Sequence, residues 1–247
     1  MSVIPWKQLY RLVLRKASLG RVLTEIQLER LASRVACQLT NNSIAPRSAP
    51  RVLLAGGTRR GGGSENAFVE KIRKNYTDMR VIGVNISDTT APDVVADLTV
   101  PWPFKTSSFD IIISTWVIEH LSDPKVFFLE AYRVLAEGGI LVVTVPFIHR
   151  VHGSPFDYWR FTDRALIHLA RTAGFERVEV TRVGGTPLLC VIALLWLFFR
   201  IPVLGALLAL IAAFVDYALL LVTRLLKKGT ELVGSYPISY VLYACKE

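Results

Sequence analysis

Apolar and polar positions along this chain alternate between two kinds of run. Phe109 to Ser114 is almost continuously apolar and leads into a polar turn at Glu119-His120. From about Pro124 to Leu135 the apolar positions recur at helical spacing. Gly138-Gly139 closes that stretch, and Ile140 to Val145 forms a second apolar run. Strand, helix and strand in this order predict a right-handed crossover within a parallel sheet. Ligands on such sheets sit beyond the carboxyl ends of the strands. Ser114–His120 and Pro146–Arg160 are therefore expected beside any bound ligand.

The same reading extends outward. Arg51 to Ala55 is a first strand that runs into Gly56-Gly57, Thr58 and the unusual Arg-Arg-Gly-Gly-Gly of residues 59–63. Glycines at that place let a backbone approach a ligand and open a helix whose N-terminus faces it. Glu65 to Lys74 reads as that helix, Arg80 to Val84 as a second strand, and Val94 to Asp97 as a short edge strand. Pro101-Trp102-Pro103-Phe104 is a rigid turn, since each proline fixes itself and restricts its predecessor. A helix over 163–173 closes at Gly174, a strand follows over Phe175–Val183, and the last strand is Ile238–Ala244. Upstream, residues 5–39 read as amphipathic helix with a break at Leu19-Gly20. Thr24 and Gln27 form a capping-box pattern. Residues 24–39 are expected to cover one face of the domain. Residues 5–18 suit either such a cover or an anionic membrane surface. Residues 40–50 are a polar, proline-containing linker.

Composition adds three facts. The chain has 247 residues, 52% of them hydrophobic and 20% charged, which is more apolar than an average soluble domain. The net charge of +9 draws the surface toward phosphates, in lipid or nucleic acid alike. Cys37, Cys190 and Cys245 are far apart in sequence and form no zinc-ligand or disulfide pattern, so no metal is expected and a reducing compartment is the simplest setting. The N-terminus lacks a secretory pattern.

The ordered pieces FDIII, IEHLSDP, EAYRVLAEGG and ILVVTVP, continued by HGSPFDYWRFT (152–162) and RTAGFERVEV (171–180), resemble the class I S-adenosylmethionine-dependent methyltransferases, in particular their small type 11 domains. The resemblance covers most of 51–183 and the last ten residues. It implies a Rossmann-like α/β fold with a mostly parallel seven-stranded sheet, an antiparallel last strand, and S-adenosyl-L-methionine as cofactor.

The apolar excess lies between the last two strands. Residues 187–223 number 37 and carry one basic residue, Arg200, and one acidic residue, Asp216. As helices, Leu188–Phe199 would reach ~18 Å and Val203–Val222 ~30 Å. In the resembled fold both ends of this segment return to one sheet, so it crosses a membrane twice or not at all. Arg182, Arg224, Lys227 and Lys228 flank it on the domain side, as for a cytoplasmic catalytic domain. The expectation is an apolar helical hairpin dipping into one leaflet; an internal helical subdomain or a dimer interface is the alternative. The chain thus divides into 1–50 (helices and linker), 51–185 (core), 186–230 (membrane-associated insertion) and 231–247 (final strand).

By resemblance, Ala55, Gly56, Gly57 and Thr58 form the cofactor loop, Asn85 meets the ribose, Asp97-Leu98 meets the adenine, and Ser114 lies near the methionine end. The family usually has an acid at the place of Leu54, a third glycine near Thr58, and an acid at the place of Asn85. An Asn keeps a hydrogen bond to ribose but loses the charge-assisted pair. Methyl transfer needs alignment, water exclusion and sometimes proton removal. His120, His149 and His152 are the candidate bases. His152, His120 and Asp157 are assigned to catalysis, and His149, Tyr158 and Arg160 to the substrate side. An Asp157–Arg160 pair with the neighbouring aromatics packed as a lid is the structural alternative. Glu119, read as the start of the helix after strand four, favours that helix N-terminus electrostatically.

Taken together, these readings describe a membrane-associated methyltransferase acting at oxygen on a lipid-linked or amphiphilic acceptor. The alternative is a non-catalytic membrane adaptor with a degenerate fold, motivated by Leu54, Thr58 and Asn85. A nucleic-acid methyltransferase ranks last, because STWVIEH stands where an Asn/Asp-Pro-Pro-aromatic motif would be.

Overall fold

In the computed structural model the described residues are 19–41, 49–57, 64–76, 78–153, 156–185 and 235–247, with a few helical positions between 190 and 218. Seven strands form one sheet: β1 (Arg51–Ala55), β2 (Arg80–Asn85), β3 (Val94–Val95), β4 (Phe109–Thr115), β5 (Leu135–Pro146), β6 (Arg177–Gly185) and β7 (Tyr236–Cys245). Their order is β3-β2-β1-β4-β5-β7-β6. β1 to β5 pair in parallel. β7 runs antiparallel to both β5 and β6. β3 is an edge strand, as its length and polarity predict.

Helices α1 (Leu19–Asn41) and α2 (Ser64–Arg73) cover one face of the sheet, and α3 (Pro124–Val134) and α4 (Asp163–Thr172) the other. This explains the continuous apolar runs. Ile112 packs toward Phe127, Phe128 and Leu166. Its neighbours Ile111 and Ile113 pack toward Leu28, Phe68 and Ile72. A strand buried on both faces has no polar side to alternate with.

The helix starts follow the sequence signals. Asp123 accepts from the Lys125 amide at 2.9 Å with Pro124 in the first turn. Thr162 accepts from Ala165 at 3.2 Å. Two expectations change. Thr24 lies inside α1 rather than at its start: its Oγ donates back to the Gly20 carbonyl at 2.8 Å and meets Ser239 Oγ at 2.8 Å. Burial against β7 gave that hydroxyl better partners than a cap would. Glu119 and His120 do not begin a helix either. They sit in a short 3-10 turn, Ile118–His120, and α3 starts four residues later. Residues 5–18, Thr58, the Arg59–Gly63 run and most of the expected hairpin lie outside the described residues. Among the described residues, no helix is long and apolar enough to cross a membrane.

Candidate active site

The site is built where β1 and β4 end side by side. Gly56 follows β1 with φ +83° and donates its amide to Val84 at 2.8 Å. A Cβ added there would meet Val117 Cγ2 at 2.3 Å. Only glycine tolerates both the backbone angle and that contact. Asn85, at the end of β2, donates from Nδ2 to the Gly56 carbonyl at 3.1 Å and accepts from the Ser87 amide at 3.4 Å. Its side chain therefore shapes the glycine turn while keeping one N–H for a ligand. Asp97 accepts from the Thr99 amide and hydroxyl through Oδ1, each at 2.8 Å, which leaves Oδ2 turned out of that turn's bonding. Leu98 is buried beside Trp102, whose Nε1 donates to the Leu98 carbonyl at 3.4 Å.

β4 ends with an abrupt break. Trp116 keeps the ladder by donating its amide to Thr144 at 3.0 Å, yet takes φ +57°. A bulky residue at positive φ is held there by its surroundings and marks a strained turn. That turn aims Glu119 inward. Glu119 is 0% exposed, and neither carboxylate oxygen finds a hydrogen-bond partner. Six buried side-chain polar atoms among the described residues lack a partner, and five belong to Ser114, Trp116, Glu119 and Thr144. Ser114 and Thr144 lie on opposite faces of the sheet, and of the unpartnered groups only Glu119 has both side-chain oxygens without a partner.

Loop 156–160 folds over the same turn. Tyr158 and Trp159 donate their amides to the Glu119 carbonyl at 2.8 and 3.3 Å. Trp159 Nε1 donates to Leu121 at 2.8 Å, and the Trp159 and Phe161 rings stack at 5.9 Å. The Tyr158 and Phe156 rings remain exposed. Asp157 is the loop's anchor. It takes Arg160 in a two-point pair at 2.5 and 2.7 Å, the His152 amide at 2.8 Å and His152 Nδ1 at 3.1 Å. The bond from Arg160 holds the Asp157 carboxyl well below the usual carboxylate range. The terminal nitrogens of Arg160 also reach the Trp159 and Arg150 carbonyls, so its guanidinium is engaged within the loop.

The histidines converge on Glu119. His120 Nδ1 lies 2.6 Å from the Phe156 carbonyl, and His149 Nδ1 lies 3.0 Å from the Arg150 carbonyl. A carbonyl only accepts, so these Nδ1 atoms carry the hydrogen and Nε2 keeps its lone pair. Asp157 orders His152 in the same way. His120 Nε2 and His152 Nε2 each stand 3.8 Å from Glu119 Oε1. The His149 and His152 rings are 4.6 Å apart, and Trp116 packs edge-on against both. Burial lowers the pKa of His149 and of His152; Asp157 partly opposes this for His152. Burial pushes Glu119 up to about 8, with Asp157 adding to the rise and its own amide, Arg160 and Arg21 opposing it.

The structure thus brings His120, His149, His152, Asp157 and Arg160 together, and places Gly56, Gly57, Asn85 and Ser114 along the neighbouring strand ends. Sequence reasoning missed Glu119 as a functional group. The available signal was a carboxylate set in TWVIEHL, among residues that a strand end buries. It missed Trp116 as well, because an apolar residue gives no sign of its backbone angle. A separate cavity of about 200 Å³ lies against α1, β6 and β7, where Arg34 and Glu179 already pair.

Residues 61–143 match a family described as "Methyltransferase domain". The chain is 33% identical over 118 residues to 2-methyl-6-phytyl-1,4-hydroquinone methyltransferase 1, chloroplastic, of Oryza sativa subsp. japonica; the match covers 46% of this chain and 33% of that protein. It is 29% identical over 120 residues to a probable S-adenosylmethionine-dependent methyltransferase of Mycolicibacterium smegmatis, covering 45% of this chain and 41% of the other. The chain therefore spans less than half the length of these relatives. Among solved structures, an S-adenosylmethionine-dependent methyltransferase from Archaeoglobus fulgidus aligns with TM-score 0.52 and 14% identity over 98% of this chain and 100% of that one. The CurJ carbon methyltransferase aligns with TM-score 0.54 and 14% identity over 91% and 55%. At that identity the likeness is one of fold.

Proposed function

We propose, from the premise that residues 61–143 carry a methyltransferase domain of the class I S-adenosylmethionine-dependent kind, that this chain methylates an amphiphilic acceptor at oxygen. The observation that supports this best is the cluster at the end of β4, where the buried Glu119 carboxyl meets His120 and His152 next to the tight Gly56 turn that Val117 packs against.

The residues present fit the cofactor. The Gly56 turn leaves no room for a Cβ, the buried Ser114 hydroxyl lacks a partner, and Asn85 and Asp97 each keep a polar atom uncommitted. Gly56, Gly57 and Asn85 would hold the ribose and methionine parts, Asp97 and Leu98 the adenine, and Ser114 the methionine end. When bound, that group supplies an electrophilic methyl on a sulfonium. The chain's own contribution is alignment and charge. The lone pair of His152 Nε2 takes the proton of the acceptor's hydroxyl as its oxygen attacks the methyl group and the thioether leaves, with His120 Nε2 and Glu119 beside it. Asp157 keeps His152 in the required tautomer, and Arg160 keeps Asp157 ionised. The aromatic loop Phe156–Phe161 walls the cleft and limits water.

The amphiphilic acceptor is supported by the apolar insertion. Of its described helical positions, Ile211 and Val215 are partly bare, and Phe214 is 72% exposed. Exposed apolar side chains at helical spacing suit a lipid surface. We read the insertion as a hairpin seated in one leaflet, with the catalytic domain on the cytoplasmic side. A prenylated hydroquinone, the acceptor named for the rice relative, is one member of the acceptor class; lipid-linked sugars and lipid head groups are others.

The test uses the full chain in detergent, methyl-labelled S-adenosylmethionine and a total lipid extract. Label is expected in an organic-soluble product. Label confined to a water-soluble product would retain methyl transfer and remove the amphiphilic acceptor. No transfer to any product from either fraction would remove the activity.

A further inference from the structure

The three-atom arrangement around Glu119 has a chemistry of its own. Two imidazole nitrogens and a carboxylate oxygen, all electron-pair donors, point at one another within 4.8 Å. With the Nδ1 atoms as donors, both Nε2 atoms present lone pairs, and beside them the ionised form of Glu119 makes a set that a positive centre would satisfy. We propose that Glu119, His120 and His152 bind a single divalent first-row transition ion.

Four features support a site rather than a chance cluster. First, Glu119 is wholly buried and neither of its oxygens has a hydrogen-bond partner, so its ionised form calls for a positive group beside it. Second, each histidine is fixed through Nδ1, His120 by the Phe156 carbonyl and His152 by Asp157. Metal-bound histidines are oriented in this manner, their other ring N–H given to a carbonyl or carboxylate. Third, the spacing fits. Ligand atoms ~2.1 Å from a tetrahedral ion lie ~3.4 Å apart, and the two Glu119–histidine separations are 3.8 Å. All three ligand atoms lie within 4.8 Å of one another, so the two Glu119–histidine pairs need a few tenths of an ångström and the two imidazoles at most about 1.4 Å to close the shell. Fourth, the His120 and His152 side chains are 18% and 20% exposed, so solvent reaches the remaining coordination positions. Two imidazoles and one carboxylate with open positions suit zinc, iron(II) or cobalt(II) better than magnesium or calcium.

An ion here would ligate the acceptor's oxygen and lower its pKa, with the Nε2 atoms acting as ligands. The site itself does not depend on methyl transfer and is read by binding alone.

The experiment titrates tag-free, chelator-treated full chain with Zn²⁺, and with Co²⁺ for its visible absorption. One ion per chain is expected, with a tetrahedral or five-coordinate cobalt band. His120→Ala, His152→Ala and Glu119→Gln should each weaken binding at least ~100-fold, and Asp157→Asn, which loosens both His152 and the Arg160 anchor of its loop, by roughly 10- to 100-fold. His168→Ala, an exposed residue on α4, should leave binding unchanged. Circular dichroism checks that each variant is folded. No binding at millimolar ion, or binding that survives His152→Ala and Glu119→Gln in folded protein, would overturn the proposal.

Discussion

Gly56→Ala is expected to weaken cofactor binding at least ~100-fold and to destabilise the fold by about 3 kcal/mol, from a strained positive φ and an overpacked contact. The added methyl would lie 2.3 and 2.6 Å from the two Val117 methyls. It would also sit at φ +83°, where L side chains are strained. Two causes make one test into two. In Gly56→Ala/Val117→Ala the steric contact disappears and only the backbone strain remains. The double variant should therefore recover a part of the stability and less of the affinity. Val117 stands two residues before Glu119, so pressure on it is carried directly into the turn that holds the carboxylate. Equilibrium denaturation and calorimetric titration of the two variants measure both effects. Equal stability of wild type and Gly56→Ala would mean that the turn relaxes freely and is no cradle.

The second large effect concerns pH. Burial raises Glu119 to about 8 from an ordinary value of 4.5. The folded state then holds a proton that the unfolded state has released throughout that interval. Stability must fall as pH rises from about 4.5 to about 8 and level off above, where both states are ionised. The full loss is on the order of 5 kcal/mol, with about 3 kcal/mol of it already gone at pH 7. Glu119→Gln removes the ionisation. In chelator-treated protein it should match wild type near pH 5 and exceed it increasingly to pH 8.5. Thermal unfolding midpoints of the two proteins across this range give the answer. Parallel profiles would mean that the carboxylate is solvated or paired and ionises normally. A bound divalent ion should shrink the difference, because it compensates the charge.

The sheet was legible because burial on both faces writes itself as apolar runs. FDIII, ILVVTV and the strand at Ile238 hold the order and direction of β4, β5 and β7; the strand ends fell within two residues of their observed places except that β5 begins at Leu135, five residues before the expected Ile140. Apolar spacing placed the helices over 124–135 and 163–173 close to their observed bounds, and the structure adds their caps at Asp123 and Thr162. What stayed hidden depends on contacts far along the chain. Thr24 read as a cap because its partner, Ser239, is 215 residues away. Glu119 read as a helix-start carboxylate because nothing local tells that Trp116 turns left-handed and drives the next turn inward. The histidines were recognised as candidates by type. Their common orientation toward Glu119 came only with loop 156–160, whose carbonyls and Asp157 select the tautomers.

The altered cofactor positions acquire a physical account in the same way. Leu54 is 1% exposed and packs with Val52 and Ile113, so the usual acid is replaced by core. Asn85 spends one N–H on the Gly56 carbonyl, a bond that a carboxylate at this position has no hydrogen to make. Asn85 thereby supports the glycine turn from the end of β2. A loop supported in this way is consistent with retained binding rather than decay.

Everything above hangs on an adenosyl sulfonium compound lodging where β1 gives way to glycine. Isothermal calorimetry of the detergent-solubilised full chain with S-adenosylhomocysteine addresses this most directly. One site per chain, lost in Gly56→Ala, is the predicted result. A folded sample that yields no heat of binding at millimolar ligand would contradict it and favour the non-catalytic alternative.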